Sequence, residues 1–463
     1  IIFFNCIKTF RKMSNNLIRK PKVIAEQENQ YRKLGFVQNP FPANPSVVPY
    51  SDDSRVNGSI FLESIRQEEM NAFREHIVNS QNQIGLMMDY AAYKGRGIGK
   101  TAFLNYMKKS INKDLGDEMS DGKSVIYAVY VAPSADNRNR TLSQVAHSIF
   151  TAMHKEGLFL TVFCRLRALS GLLDDVIDES ITESNYETTI ANDTWLHNKG
   201  VDVLEVNSFV CKELVKAGLI DDEASLFSGD YSQFMDALKD NPSEFFWKKE
   251  GLVFLFGKVE KLLKAALFTN CIILLDEAEK MIQYQNFNER RAFCENLRTY
   301  FVDGNNSNAI DGFFKILLTI HPNSQELLMP HWAAAGLDRF CSLGGNTSSE
   351  NTIFFKPMSN EPEMIRALAE IYLKASRIDK DNTSISPFTQ DAIDYTMERS
   401  AFIPGKFLKY LYILIEKAIK NKWETIDRAK VAMILDEGTD HFSLDRPVAN
   451  LNVDELTPTK IQL

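Results

Sequence analysis

No stretch of the 463 residues approaches about 18 consecutive apolar positions, which excludes a transmembrane helix as an expectation. Cysteine is scarce: Cys6, Cys164, Cys211, Cys271, Cys294 and Cys341 are scattered, and no two form a CxxC pair. A disulfide framework or zinc-ribbon site is therefore not expected, and the thiols read as reduced, mostly buried small hydrophobes of a cytoplasmic protein. The seven histidines include no HExxH, so a metalloprotease site is not expected either. No internal repeat or low-complexity tract interrupts the chain. Hydrophobic residues make up 44% and charged residues 25%, an ordinary globular composition with room for two to four domains.

Charge is unevenly spread. Residues 1–35 carry eight basic groups against Glu26 and Glu28, whereas residues 171–246 carry seventeen acids against four lysines. The whole chain has a net charge of −8. The basic arm reads as a solvated terminus that offers DNA a possible contact. The acidic segment is a poor candidate for DNA, because phosphate repels it. Residues 1–12 precede Met13 and place their apolar run before their charges, unlike a signal peptide, so they read as sequence upstream of the start.

Hydrophobic periodicity predicts strands at 84–88, 125–132, 271–275 and 314–320, alternating with helices at 62–80, 101–112, 141–155, 158–179, 252–267 and 277–301. Four prolines make 36–50 an extended lead-in. Beyond residue 357 only helices fit, at 361–376, 388–398, 404–421 and 426–436, followed by a polar tail. Strands alternating with helices, then helices alone, imply an α/β parallel-sheet core and an all-helical C-terminal domain. The expected division is a basic arm (1–35), a core (36–356) with an acidic helical insertion at about 171–246, a helical lid (357–436) and a tail (437–463).

The chemistry concentrates in two places. Lys94-Gly95-Arg96-Gly97-Ile98-Gly99-Lys100-Thr101 follows a strand and opens a helix. Glycines let a loop turn its amides into one concavity, and a helix N-terminus adds free N–H groups and partial positive charge. Lysine after the last glycine suits β and γ phosphates, and the next hydroxyl suits Mg2+. Gly95, Gly97, Ile98, Gly99, Lys100, Thr101 and Ala102 are the candidate phosphate-binding residues. The first glycine of the usual GxxxxGK[ST] spacing is replaced by Lys94. The second place is Cys271-Ile272-Ile273-Leu274-Leu275-Asp276-Glu277, a buried-strand run ending in paired carboxylates. Asp276, with Thr101, is the candidate metal-holding residue, and Glu277 the candidate base that activates water.

The loop KGRGIGKT, the strands IILLDEAE and KILLTIHP, and the helical C-terminus together resemble the AAA+ P-loop ATPases over about residues 36–436. The nearest look is to the origin-recognition-like and STAND-like branch, including ATPases of bacterial conflict and mobile-element systems. The resemblance implies ATP with Mg2+ as cofactors, an ATPase activity and a homo-oligomer. It implies a polar sensor at Thr319, with His321 as second choice, and an arginine finger at Arg339, with Arg290, Arg291 and Arg298 as weaker alternatives. The lid arginine of the family is replaced by Gly405, which leaves Lys406 or Arg399 as substitutes. Three functional classes follow: a switch ATPase acting on a protein partner in defence or signalling, a DNA-associated motor or loader, and a non-hydrolysing ATP-binding scaffold.

Overall fold

The computed structural model describes residues 30–89, 97–133, 140–177, 180–182, 184–221, 229–239, 250–304, 307–343, 351–356 and 362–436. Gly95, Lys94, the first 29 residues and the tail from 437 lie outside them. The chain divides into two units, one of Ser46–Asn360 with Phe402–Gly405, the other of residues to Pro45, Glu361–Ala401 and Lys406 onward.

The larger unit is an α/β fold around a five-stranded, wholly parallel sheet. Its strands are β1 (Ile84–Asp89), β2 (Ile126–Val131), β3 (Asn270–Leu275), β4 (Phe314–Ile320) and β5 (Thr352–Phe355), in the spatial order β2-β3-β4-β1-β5. Parallel strands need crossovers, and helices on both faces bury both sides, so the strands read as continuous hydrophobics. Alternation sorts the side chains cleanly. Leu86, Val129, Ile273 and Leu318 enter one core; Met87, Ala128, Ile272 and Leu317 enter the other. The helix Lys100–Asp114 covers the second face with Phe103, Leu104, Met107 and Ile111. Its Asn112 donates to the Ala128 carbonyl at 2.9 Å and accepts from the Ala128 amide at 2.8 Å, which occupies backbone groups that edge strand β2 would otherwise present unpaired.

The acidic segment packs into the same core. Leu173, Ile190, Leu196, Val206, Val210, Leu214, Phe234 and Leu238 join the first face beside Val129 and Ile273. Its hub is Arg167, fully buried, which donates to the Ile190 and Gly229 carbonyls (3.0 and 2.7 Å), to Asn207 Oδ1 (2.8 Å) and to Asp193 (2.6 Å).

Four sequence expectations change. The helix expected over 158–179 ends at Leu169. The helix expected over 277–301 is two, Ala278–Tyr284 and Phe287–Phe301, because Asn286 caps the second in a capping box with Glu289. A fifth strand, β5, was not expected: its four residues, Thr352–Phe355, leave too short a periodic signal. Residues 36–45, expected in the core, group with the C-terminal helices Pro362–Ser376, Gln390–Arg399, Pro404–Asn421 and Arg428–Leu435. Asn39 donates to Glu416 Oε1 at 2.7 Å, and Phe41 packs between Tyr372 and Phe388, its ring centroid 6.1 Å from each of theirs.

Cys164, Cys211, Cys271, Cys294 and Cys341 are buried and form no disulfide. Among the described residues no helix is long and apolar enough to cross a membrane.

Candidate functional site

The site is built at the carboxyl ends of the parallel strands, where loops leave the sheet and helices begin. Between β1 and the helix Lys100–Asp114, Gly97 and Gly99 adopt φ of +98° and +105°, a region that disfavours any residue with a Cβ. The first bond of the helical ladder runs from the Phe103 amide to the Gly99 carbonyl at 3.0 Å. The amides of Lys100, Thr101 and Ala102 therefore precede that ladder, as the first turn of a helix requires. Ile98 is 4% exposed and anchors the loop in the second core.

Gly405 bears on the same loop. Its amide donates to the Gly97 carbonyl at 2.9 Å, and a Cβ at 405 would lie 3.0 Å from that oxygen. Backbone packing this close leaves little room for a side chain at 405.

The glycine-loop helix and the acidic strand end meet directly. Thr101 Oγ1 donates to Asp276 Oδ2 at 2.6 Å across 175 residues of sequence. Asp276 is 1% exposed and accepts three further bonds: Tyr130 OH at 2.9 Å, Thr319 Oγ1 at 2.7 Å and the Glu277 amide at 2.9 Å. The Glu277 amide also donates to Thr319 Oγ1 at 2.7 Å. Thr319 thus ties both members of the acidic pair, using its hydroxyl as donor and as acceptor. Burial, with the Asp276 carboxylate alongside, raises the Tyr130 phenol far above its ordinary value, so it stays a donor. Glu277 sits in the left-handed region at φ +51° and pairs its carboxylate with Lys280; both side chains are about one-third exposed.

Lys100 reaches back to β1. Its ammonium lies 2.5 Å from Asp89 Oδ1, at the last residue of that strand. The Asp89 side chain is 1% exposed; its Oδ2 accepts no hydrogen bond and lies 3.9 Å from His321 Nε2. Glu279 completes the acidic group. Burial raises its carboxyl above the ordinary range, against the opposing pull of its own backbone amide and of Lys100.

A hydroxyl and a carboxylate 2.6 Å apart are hard oxygen donors, the set that suits Mg2+. Both Asp276 oxygens already accept hydrogen bonds, which suits an ion held through water. The donor set fits the ion.

Other expected residues stand as follows. Arg339 is exposed at the end of the turn Leu337–Arg339. Arg290 donates to the Ile282 carbonyl, Arg291 pairs with Glu295, and Arg298 bonds Asp303 and the Ala335 carbonyl. Lys406 and Arg399 belong to the smaller unit, where Lys406 lies 5.6 Å from the Tyr410 ring and Arg399 pairs with Asp436 at 3.0 Å.

Sequence reasoning missed Asp89, Tyr130, Glu279 and Arg66. Asp89 carried a signal, an acid ending an apolar strand just before the glycine loop. Glu279 stood two residues past the acidic pair. Tyr130 was one aromatic among strand residues. Arg66 was a polar position in an amphipathic helix.

No family model matches the chain, and no curated protein matches it. Among solved structures it is similar to the Aeropyrum pernix ORC2 protein in its ADPNP–ADP complexes, at 9% identity over 81% of this chain and 68% of that one, with a TM-score of 0.40. It is also similar to the Walker-type ATPase paby2304 of Pyrococcus abyssi, at 14% identity over 81% and 71%, with a TM-score of 0.33.

Proposed function

We propose that the chain binds ATP at the glycine loop and hydrolyses it, and that a protein partner reads the nucleotide state. The observation that carries this reading is the 2.6 Å contact from Thr101 to Asp276, which joins the helix after the loop to the carboxylate ending β3. Amides of Gly99 to Ala102, with the helix N-terminus, bind the phosphates. Lys100 neutralises phosphate charge, and to do so exchanges its Asp89 partner for the ligand. Thr101 and Asp276 hold the magnesium ion, which when bound offsets charge on the phosphate oxygens. Glu277 orients and deprotonates the attacking water, its backbone fixed by Thr319. Arg339, being exposed, suits a role at a neighbouring copy's nucleotide in a homo-oligomer.

Phosphate release and binding of a fluorescent ATP analogue test the reading. Lys100→Ala should abolish binding. Glu277→Gln should keep binding and lose turnover by at least about 100-fold. Equal turnover in Glu277→Gln and the native protein removes Glu277 from its role.

A partner protein is favoured over DNA because the acidic segment, seventeen acids against four lysines, forms part of the core unit. Fluorescence anisotropy with duplex and single-stranded DNA, at low and physiological salt, decides this. ATP-dependent binding with a steep salt response transfers the proposal to a DNA-associated motor.

A further inference from the structure

Arg66 ends the short turn Glu63–Arg66 and is 3% exposed. Its Nη2 donates to the Ile98 carbonyl at 2.8 Å; its Nη1 donates to the Lys356 carbonyl at 2.7 Å and to Glu69 Oε1 at 3.0 Å. The guanidinium lies 4.1 Å over the Phe355 ring at the end of β5, and that ring is the nearest neighbour, at 4.0 Å, of a Cβ placed on Gly99. Burying a guanidinium is costly unless its donors are met, and here three of the five go to two carbonyls and a carboxylate.

The Ile98 carbonyl shares a peptide unit with the Gly99 amide. That unit is planar and trans, so its C=O and N–H point in opposite directions. Holding the carbonyl on Arg66 turns the Gly99 N–H to the other side of the loop. The unit ends on Gly99, at φ +105°, whose freedom on both sides of φ zero lowers the resistance to a flip of the peptide plane. A flipped plane would present a carbonyl oxygen, a repulsive group, where a phosphate needs an amide.

We propose that Arg66 is a positioning residue for nucleotide binding: it fixes the Ile98–Gly99 peptide so that the Gly99 amide faces the phosphates. The proposal rests on the ATP-binding reading above and names a residue through which that site is set. Because only loops in the correct orientation bind, the apparent affinity falls with the fraction that is competent. The bound state, once formed, is the same, so turnover at saturation is preserved.

The test uses the full chain with a fluorescent ATP analogue and steady-state phosphate release. Arg66→Lys keeps charge but lacks the planar fork that reaches two carbonyls at once. It should weaken binding and raise KM about tenfold, with kcat within about twofold of the native value and an unchanged far-ultraviolet spectrum. Glu69→Gln, which loosens Arg66 without removing it, should shift KM in the same direction by less. Arg167→Lys, at a buried arginine of the helix Leu158–Leu169 that holds the acidic segment, serves as the control and should leave KM unchanged in the folded protein. If Arg66→Lys fails to fold, Glu69→Gln carries the test. Native affinity in the Arg66 or Glu69 variant that folds, or an equal KM rise in Arg167→Lys, overturns the proposal for Arg66 alone. Absence of analogue binding by the native protein overturns the ATP reading and the proposal together.

Discussion

Two buried arginines organise two regions of the larger unit by the same device. Arg66 gathers the Ile98 and Lys356 carbonyls, the Glu69 carboxylate and the Phe355 ring. Arg167 gathers the Ile190 and Gly229 carbonyls, the Asn207 amide oxygen, the Asp193 carboxylate and the Phe163 ring at 4.3 Å. Each ties irregular backbone to regular elements, because a guanidinium has five donors in a fixed plane. What they tie differs. Arg167 closes the acidic segment onto the helix Leu158–Leu169 and supports packing. Arg66 closes the glycine loop onto the end of β5 and, in the role proposed for it, sets the plane of the Ile98–Gly99 peptide. One arginine supports stability, the other orientation, and contact geometry alone does not separate these roles; the glycine at the amide end of Arg66's target peptide does.

The largest effect should break the Arg167 side. Arg167→Ala leaves the Ile190 and Gly229 carbonyls and the Asn207 amide oxygen without this donor, beside a partly exposed Asp193 carboxylate, and at about 1–3 kcal/mol per stranded acceptor should cost about 3–5 kcal/mol in urea unfolding. Thiol labelling sharpens the comparison, since burial holds the Cys164, Cys294 and Cys341 thiols up at about 12 and unreactive in the native fold. In Arg167→Ala, Cys164 and Cys211 should label before Cys271 and Cys341; simultaneous labelling would mean that the acidic segment and the sheet open as one unit.

Next comes the hub of the site. Thr319→Val removes the donor to Asp276 and the acceptor of the Glu277 amide, and should cost about 1–3 kcal/mol of stability. Turnover should fall at least about tenfold while nucleotide affinity changes little, because the lost contacts orient the acids and not the loop. A large affinity loss with turnover intact would reverse that assignment. The smallest effect belongs to Tyr130→Phe, which removes one of four donors to Asp276 and should cost about 0.5–1.5 kcal/mol. A stability change above that range would make Tyr130 the principal support of the carboxylate.

Much of the fold was legible because it rests on local periodicity. β1, β2, β3 and β4 read as apolar runs, and the helices Lys100–Asp114, Pro362–Ser376 and Pro404–Asn421 as apolar stripes. Of the candidate site, the glycine loop and the Asp276–Glu277 pair were legible because backbone geometry and charge restrict the residue types there. Tyr130 and Arg66 were not, since their importance arises from groups 146 and 32 residues away.

Local sequence accounts for the alternation of buried strands and amphipathic helices, the glycine loop at 97 and 99, and the carboxylates at the end of β3. Only the tertiary structure decided the strand order, the assignment of residues 36–45 to the helical unit, and which arginines are buried. The reason is physical: periodicity and turn chemistry act over a few residues, whereas burial of a charge is decided by carbonyls, carboxylates and rings that distant segments bring to it.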